Sequence, residues 1–403
     1  MTAKILLAHP GTQHARHLAR QLHKRHLLAA FYTGLGIGEQ GWQSLLVNSL
    51  PATVKNKISN RMVIGVPQKL IKQFFFNEVR ALKALKNGAK AESVLLSRNK
   101  EFQNNIPDKA ITNADAVIGF DTSSWILAER CKQLNRPFIL DISIAHPYEK
   151  RAVYQQISDQ YPEWSFLLEQ KSQQMIDLEM KEMELADKIV VASTFSKNSL
   201  IKNWVPERKI YVNPYGTDLT SFKPLEKNNR SVQFVFVGLV DARKGIPVLL
   251  EAWKKIKLAG AALTLIGPVS EHTATLIKKE APDITIKGRI PYDTLPGELA
   301  QYDVLVFPSY FEGFALVIPE AMASGLTTIT TPATCAPDIV DDDLNGFIIP
   351  CGDAKQLANK MQALINDPAK LKDMQKESLK KIQNFTWDAY GERWAQIIRE
   401  IEI

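Results

Sequence analysis

A chain of 403 residues exceeds one ordinary hydrophobic core and predicts two domains. With 45% hydrophobic and 23% charged residues the composition is globular, and apolar runs such as KILLA and FVFVGLV fall far short of the ~20 residues that cross a bilayer, which argues against an integral membrane protein. The net charge of +7 is uneven: residues 1–100 hold 16 Lys+Arg and 3 Asp+Glu, a balance of +13, leaving 34 and 40, or −6, for the rest.

In chain order, β-rich runs alternate with helical patterns. KILLAHP, LLAAFYTG, AVIGFD, PFILDIS and KIVVAS occupy the first half; VQFVFVGL, ALTLIGP, DITIKG, DVLVFPS, TTITTP and NGFIIP the second. This alternation predicts an α/β protein of two doubly wound domains, each a parallel sheet with helices on both faces. Met1 is followed closely by the first strand pattern, so no leader peptide is expected and the cytoplasm is the expected compartment. His9, His14 and His17 resemble a cluster, but His14 and His17 are three apart in a predicted helix with no acid nearby in sequence, so no metal site is expected there. The basic surplus concentrates in residues 55–100, where Lys69, Lys72, Arg80, Lys83, Lys86 and Lys90 interleave with Leu70, Ile71 and Phe74 to Phe76. Such a segment suits either an anionic membrane surface or a solvated helical face.

Farther along, LDISIAHPYEK places His146 before a proline, as an active-site residue or a core histidine at a turn. The stretch KIYVNPYGTDLTSFKPLEKNNRSVQ, rich in Pro, Gly, Asn and charge, marks the seam. The expected domains are 1–205 and 206–385, facing across a cleft, with a final helix over 386–403 returning to the first. In FVGLVDARKGIPVLLEAW a strand ends at Gly238, and a loop with Arg243 and Lys244 follows: two cations suited to a leaving phosphate. DVLVFPSYFEGFALVIPEAMASG reads as strand, loop and helix. Gly313 leaves room for a ligand, while Glu312 in the loop and Glu320 in the helix's opening turns can both accept hydrogen bonds from sugar hydroxyls. Asp341 to Asp343 contain a D-x-D string that reads as a surface turn. Cys131, Cys335 and Cys351 are too few and too scattered for a disulfide or metal framework.

The ordered set VASTFSKNSL, VNPYGTDLTSFKP, FVGLVDARKGIPVLLEAW, IKGRIPYDTLPGELAQYDVLVFPSYFEGFALVIPEAMASGLTTITT, NGFIIP and FTWDAYGERW resembles the retaining glycosyltransferases of family 4, which have the GT-B fold. The resemblance covers most of residues 180–403 and is weaker over 1–150. It implies that Glu312 and Glu320 form the E-x7-E pair, the first beside the donor sugar and reacting centre, the second on the nucleotide ribose. It implies a diphosphate on Arg243 and Lys244, donor contacts from Gly11, Gly238, Gly313, Phe314, Ala315 and Leu316, base contacts near Arg289, and His146 by the acceptor hydroxyl. Leu239 departs from the Arg or Ser that many relatives carry after the strand-ending glycine.

The resulting expectation is transfer of a hexose-type sugar from a UDP-, GDP- or related nucleotide sugar to a hydroxyl acceptor, with retention and without a metal or other cofactor. The acceptor is expected to be a glycan or lipid-linked intermediate in polysaccharide or glycolipid assembly, met at the inner face of the membrane. A nucleotide-sugar epimerase or a glycogen-type phosphorylase shares the architecture. A basic membrane- or nucleic-acid-binding protein without catalysis explains the basic end, but the FFF cluster suits core or membrane better than base stacking, so nucleic acid is not the expected partner.

Overall fold

Strands that are buried on both faces need continuous apolar runs, and each expected run forms one. The computed structural model describes residues 3–12, 14–38, 61–226, 231–256 and 261–401; the expected basic segment is therefore described only from Arg61, its residues 55–60 lying outside, as do residues 402 and 403 of the expected final helix. The strands are β1 (Ile5–His9), β2 (Leu28–Thr33), β3 (Ile37–Gly38), β4 (Met62–Val63), β5 (Ile71–Gln73), β6 (Ala116–Phe120), β7 (Phe138–Ile142), β8 (Lys188–Val191) and β9 (Ile210–Val212), then β10 (Val232–Val237), β11 (Ala261–Ile266), β12 (Thr285–Gly288), β13 (Val304–Phe307), β14 (Thr327–Thr330) and β15 (Gly346–Ile348). Every position of β1, β6, β7, β13 and β14 is buried.

The first sheet runs β5-β2-β1-β6-β7-β8-β9 and the second β12-β11-β10-β13-β14-β15; β3 and β4 form a small ribbon. Their strands pair in parallel. The chain winds outward in both directions from β1/β6 in one sheet and from β10/β13 in the other, so each sheet has a switch point where loops diverge and leave a crevice at the strands' carboxyl ends. The two crevices face each other.

Two sequence expectations need correction. Ile71–Gln73, read as part of a helical face, is an edge strand whose buried Ile71 lies opposite Phe31 of β2, and the helix begins only at Phe75. The boundary after residue 205 cuts the first sheet too early. Ile210 is buried and pairs with Ile189 of β8, so the backbone of β9 finds its partner in the first domain.

The helix Trp387–Arg399 returns to the helix Ala15–Lys24, where Lys24 meets Asp388 at 2.7 Å and Arg25 donates to the Asp388 carbonyl at 2.8 Å. To get there the chain crosses between the domains a second time, directly beside the first crossing. Thr217 donates its backbone N–H to Phe385 O at 2.8 Å and pairs with Thr386, and a Cβ on Gly216 would stand 2.2 Å from the Trp387 nitrogen. Among the described residues no helix is long and apolar enough to cross a membrane.

Candidate active site

The loop after β10 is built to hold cations against the end of β13. Asp241 accepts from the Lys244 backbone N–H at 2.9 Å, and Gly245, at φ +80°, lies so close to Pro308 that a Cβ would stand 2.0 Å from its carbonyl oxygen. Arg243 and Lys244 are thereby turned onto Glu312. Lys244 Nζ lies 2.6 Å and Arg243 Nη1 3.1 Å from Glu312 Oε1, which also accepts from Ser309 Oγ at 2.7 Å; Arg243 Nη1 donates to Phe311 O at 2.7 Å. Glu312 is only 7% exposed. Burial pulls the Lys244 ammonium below its usual range, against the pull of Glu312; at Arg243 the same burial is outweighed by Glu312 and Asp241, which hold it above. Two fixed cations thus stand with little water at the carboxyl edge of the sheet, where they act strongly on any charge that forms beside them.

Glu320 sits in the helix Val317–Ala323 and accepts from Tyr292 Oη at 2.6 Å. Burial pushes its carboxyl up to about 7, the Tyr292 hydrogen bond opposing. The seven-residue helix is short, so positive charge in the cleft comes from Arg243 and Lys244 more than from a helix dipole. Between the glutamates, Phe314 is buried, Ala315 adopts φ +70° and Leu316 is partly exposed.

The cleft between the domains has a volume of about 1090 Å³. From the second domain it is lined by Gly238, Arg243, Lys244, Glu312, Glu320 and the backbone of Gly313 to Leu316; from the first by Ser143, Ile144, His14 and His17. The domains touch across it. Gly313 O accepts from Ser193 Oγ at 2.6 Å and Ser196 Oγ at 3.2 Å, and Asp338 accepts from the Thr194 N–H at 2.9 Å.

Three expected residues fall elsewhere. Arg289 is exposed and outside the cleft lining; Tyr292 and Asp293 from the same loop line it instead. Gly11 lies over His9, a Cβ there standing 2.9 Å from His9 Nε2, also outside the lining. His146 is fully buried: its Nδ1 accepts from the Tyr148 N–H at 3.2 Å and its own N–H donates to Ser199 Oγ at 2.9 Å, so it caps the helix Pro147–Gln160. Burial holds its ring pKa down to about 4. Because that value lies below the unfolded one, the neutral ring's contribution to stability is present above pH ~6.5 and is lost as pH falls toward 4. His146→Asn, which keeps a capping acceptor, is expected to flatten this acid limb of the melting curve while turnover at pH 7.5 stays within about threefold, measured by thermal melts and product formation; a hundredfold loss of turnover would restore the catalytic reading.

The histidines that do line the cleft are His14 and His17, and His14 is the one paired with an acid. Its Nε2 lies 2.8 Å from Asp141 Oδ2 and 3.4 Å from Tyr215 Oη. The acid missing from the sequence neighbourhood of His14 arrives from β7, 127 residues away. The available signal was Asp141 itself, a lone acid in the otherwise apolar β7. Asp341 and Asp343 each meet a lysine, Lys381 at 2.9 Å and Lys370 at 2.7 Å, and Asp342 accepts from the Ile348 N–H at 2.9 Å, as in a surface turn.

Residues 218–381 match the family model of glycosyl transferases group 1. Over 291 residues the chain is 25% identical to a putative colanic acid biosynthesis glycosyltransferase, WcaL, of Escherichia coli K12, covering 66% of this chain and 72% of the relative. It is 26% identical over 246 residues to the capsular polysaccharide biosynthesis glycosyltransferase CapM of Staphylococcus aureus, covering 54% and 63%. In structure it superposes on a sucrose-phosphate synthase of Thermosynechococcus elongatus with a TM-score of 0.67 at 19% identity, over 99% and 98% of the two chains. The Anabaena protein HepE in complex with UDP and glucose gives 0.66 at 15% identity, over 99% and 100%.

Proposed function

We propose that this chain, whose residues 218–381 match the model of glycosyl transferases group 1 and whose fold is that of GT-B enzymes, is a glycosyltransferase that moves a hexose-type sugar from a nucleotide diphosphate sugar to a hydroxyl acceptor with retention at the anomeric carbon. The observation that carries this reading is the buried set of Glu312, Arg243 and Lys244 at one end of the cleft, with Glu320 at the other. A diphosphate on the two cations puts the sugar against Glu312 and the ribose hydroxyls against Glu320. The bond from the anomeric carbon to the leaving phosphate oxygen breaks as the acceptor oxygen bonds to the same face; the acceptor proton passes to the leaving phosphate, and Arg243 and Lys244 carry its growing charge without a metal. Among relatives, the names colanic acid and capsular polysaccharide support a glycan or lipid-linked acceptor, and the UDP and glucose of HepE support a UDP-type donor.

Attachment to an anionic membrane belongs to the same proposal. Phe74 packs inward on Tyr32 and Phe102, but Phe75, Phe76 (78% exposed), Val79, Leu82 and Leu85 stand on the surface of the helix Phe75–Lys86 among exposed Lys72, Arg80, Lys83, Lys86 and Lys90.

The test is thermal-shift binding of UDP, GDP, ADP, CMP and dTDP, with and without EDTA, on the native protein and on Glu320→Ala. One nucleoside diphosphate should raise the midpoint, survive EDTA and lose its effect in the variant; a protein that none of them stabilises ends the donor assignment. Glu320 adds a pH signature. Its carboxyl, raised in the folded state to about 7, must ionise to accept two ribose hydroxyls, and ionising it costs the empty protein on the order of 3 kcal/mol as pH climbs from about 4.5 to 7. The affinity for the nucleotide is therefore expected to rise about tenfold from pH 6 to pH 8, following the ionised fraction, and Glu320→Gln to remove that rise; equal slopes in calorimetric titrations of both proteins would count against the ribose assignment.

A further inference from the structure

Behind the exposed apolar helix lies a second cavity. The helices Phe75–Lys86, Ala91–Asn104 and Gln173–Leu185 enclose a groove of about 430 Å³ outside the reaction cleft. Its wall is apolar along Leu82, Leu85, Val94, Leu95 and Met175, and Leu82 and Leu85 also belong to the exposed face, so the groove opens where that face meets solvent. At its polar end the groove is lined by Arg61, Arg98 and Lys171 together with the carboxylates of Glu78 and Glu92. Arg98 and Arg61 share one carboxylate, that of buried Glu78, at 3.5 Å and 3.9 Å, both beyond hydrogen-bond length, and Glu78 Oε1 is buried without a hydrogen-bond partner. Arg98 already gives Nε and Nη2 to Asn99 Oδ1 at 3.1 Å and 2.9 Å, and Lys171 is paired with Glu179, so the donors left facing the groove are Arg98 Nη1 and the Arg61 guanidinium, both held to Glu78 only at ion-pair distance. Burial lowers the pKa of Arg98, as for a cation short of compensation.

The polar end shares a loop with the wall of the reaction cleft. Thr122, at φ +65°, lines the groove and is held by Glu182, which accepts the Thr122 and Ser124 N–H groups at 2.8 Å and 2.6 Å. The preceding residue, Asp121, accepts from the N–H and Oγ of Ser143 at 3.0 Å and 3.1 Å, and Ser143 lines the cleft opposite Gly313. One loop thus forms the inner wall of the groove and braces the wall of the cleft.

We propose that this groove seats the acceptor itself, as a phosphate-bearing lipid. Its aliphatic chain enters from the membrane-facing helix along Leu82 and Leu95, and its phosphate rests on Arg98, Arg61 and Lys171. Its sugar or terminal hydroxyl then extends past Thr122 into the cleft. The shape fits this occupant: an apolar passage that ends in a fork-and-ammonium anion site, with the reacting centre beyond it. The inference rests on the glycosyltransferase reading for what lies beyond the groove, but binding to the groove is measurable without it.

The probes are n-dodecyl phosphate below its micellar concentration, n-dodecyl maltoside, inorganic phosphate and phosphatidylglycerol vesicles, titrated calorimetrically or by sedimentation against the full chain, with UDP as a control ligand. Dodecyl phosphate is expected to bind at least tenfold tighter than either the neutral amphiphile or free phosphate. Leu95→Trp, which fills the groove, is expected to weaken it at least tenfold while vesicle binding and UDP binding persist. Arg98→Gln is expected to bring dodecyl phosphate down to the level of dodecyl maltoside. Equal binding of the charged and neutral amphiphiles, or full binding by Leu95→Trp, overturns the proposal, as does vesicle binding as the sole interaction found. If Leu95→Trp fails to fold, judged by lost UDP stabilisation, the Arg98→Gln comparison decides. Loss of UDP binding in the native protein would count against the donor reading alone, and loss of dodecyl phosphate binding against the groove alone.

Discussion

Lys244→Ala is expected to lower kcat by about 10²–10³-fold, the range found when one preorganised charge partner of a transition state is removed. Lys244 Nζ lies 2.6 Å from Glu312 and 5.1 Å from the centroid of Phe307, in a place almost closed to water. A cation there is held by neighbours rather than by solvent, so it needs no reorganisation when charge moves onto a departing phosphate. The loss belongs in kcat, because a charge that grows only during departure is weakly felt in the ground state. The variant also leaves Glu312 with Arg243 as its single counter-cation, and breaking a buried pair costs several kcal/mol, so a drop in melting temperature should accompany it. Initial rates at saturating donor are the measurement; a kcat within threefold of native would remove Lys244 from the chemistry.

Gly313→Ala is expected to abolish turnover by at least about a hundredfold while leaving both domains folded. An added Cβ would stand 1.9 Å from Ser143 O and 3.0 Å from Ile144 Cα, and both are backbone of the opposite domain. Within its own domain Gly313 has no left-handed φ that demands glycine. The obstruction is therefore relieved by holding the domains apart, which also strips the Ser193 and Ser196 hydrogen bonds from Gly313 O. UDP, held within the second domain, should bind within a few-fold of native. The melting temperature should move little, and small-angle scattering should report a larger radius of gyration. Native turnover, or a chain that no longer binds UDP, would contradict this account.

The cleft residues of the second domain were readable because they are placed by local sequence. Arg243, Lys244 and Glu312 sit in the loops that follow β10 and β13, Glu320 in the helix after the second loop, and the fold brings them to one cleft. What the sequence hid depended on contacts across long separations. His14 looked isolated because Asp141 reaches it only once β7 and the first helix are assembled. His146 stayed open between an active-site and a core histidine because a histidine before a proline and a helix has the same local pattern whether its ring points to a cleft or caps the helix. Ile71 looked helical because an edge strand of three residues is too short to establish a period of two. Arg289 was placed with the right loop, but the loop turns Tyr292 and Asp293 inward instead.

The paired crossings at Gly216–Thr217 and Phe385–Trp387 set the mechanics of closure. A single crossing strand acts as a swivel, free to twist and bend in any direction. Two strands hydrogen-bonded side by side act as a leaf hinge: they bend easily across their common width and resist twist. Opening then follows one arc, and displacement grows with distance from the pivot. Each closing stroke returns the same atoms to the same register, so a gap as narrow as the one between Gly313 and Ser143 can be met repeatedly without a guiding side chain.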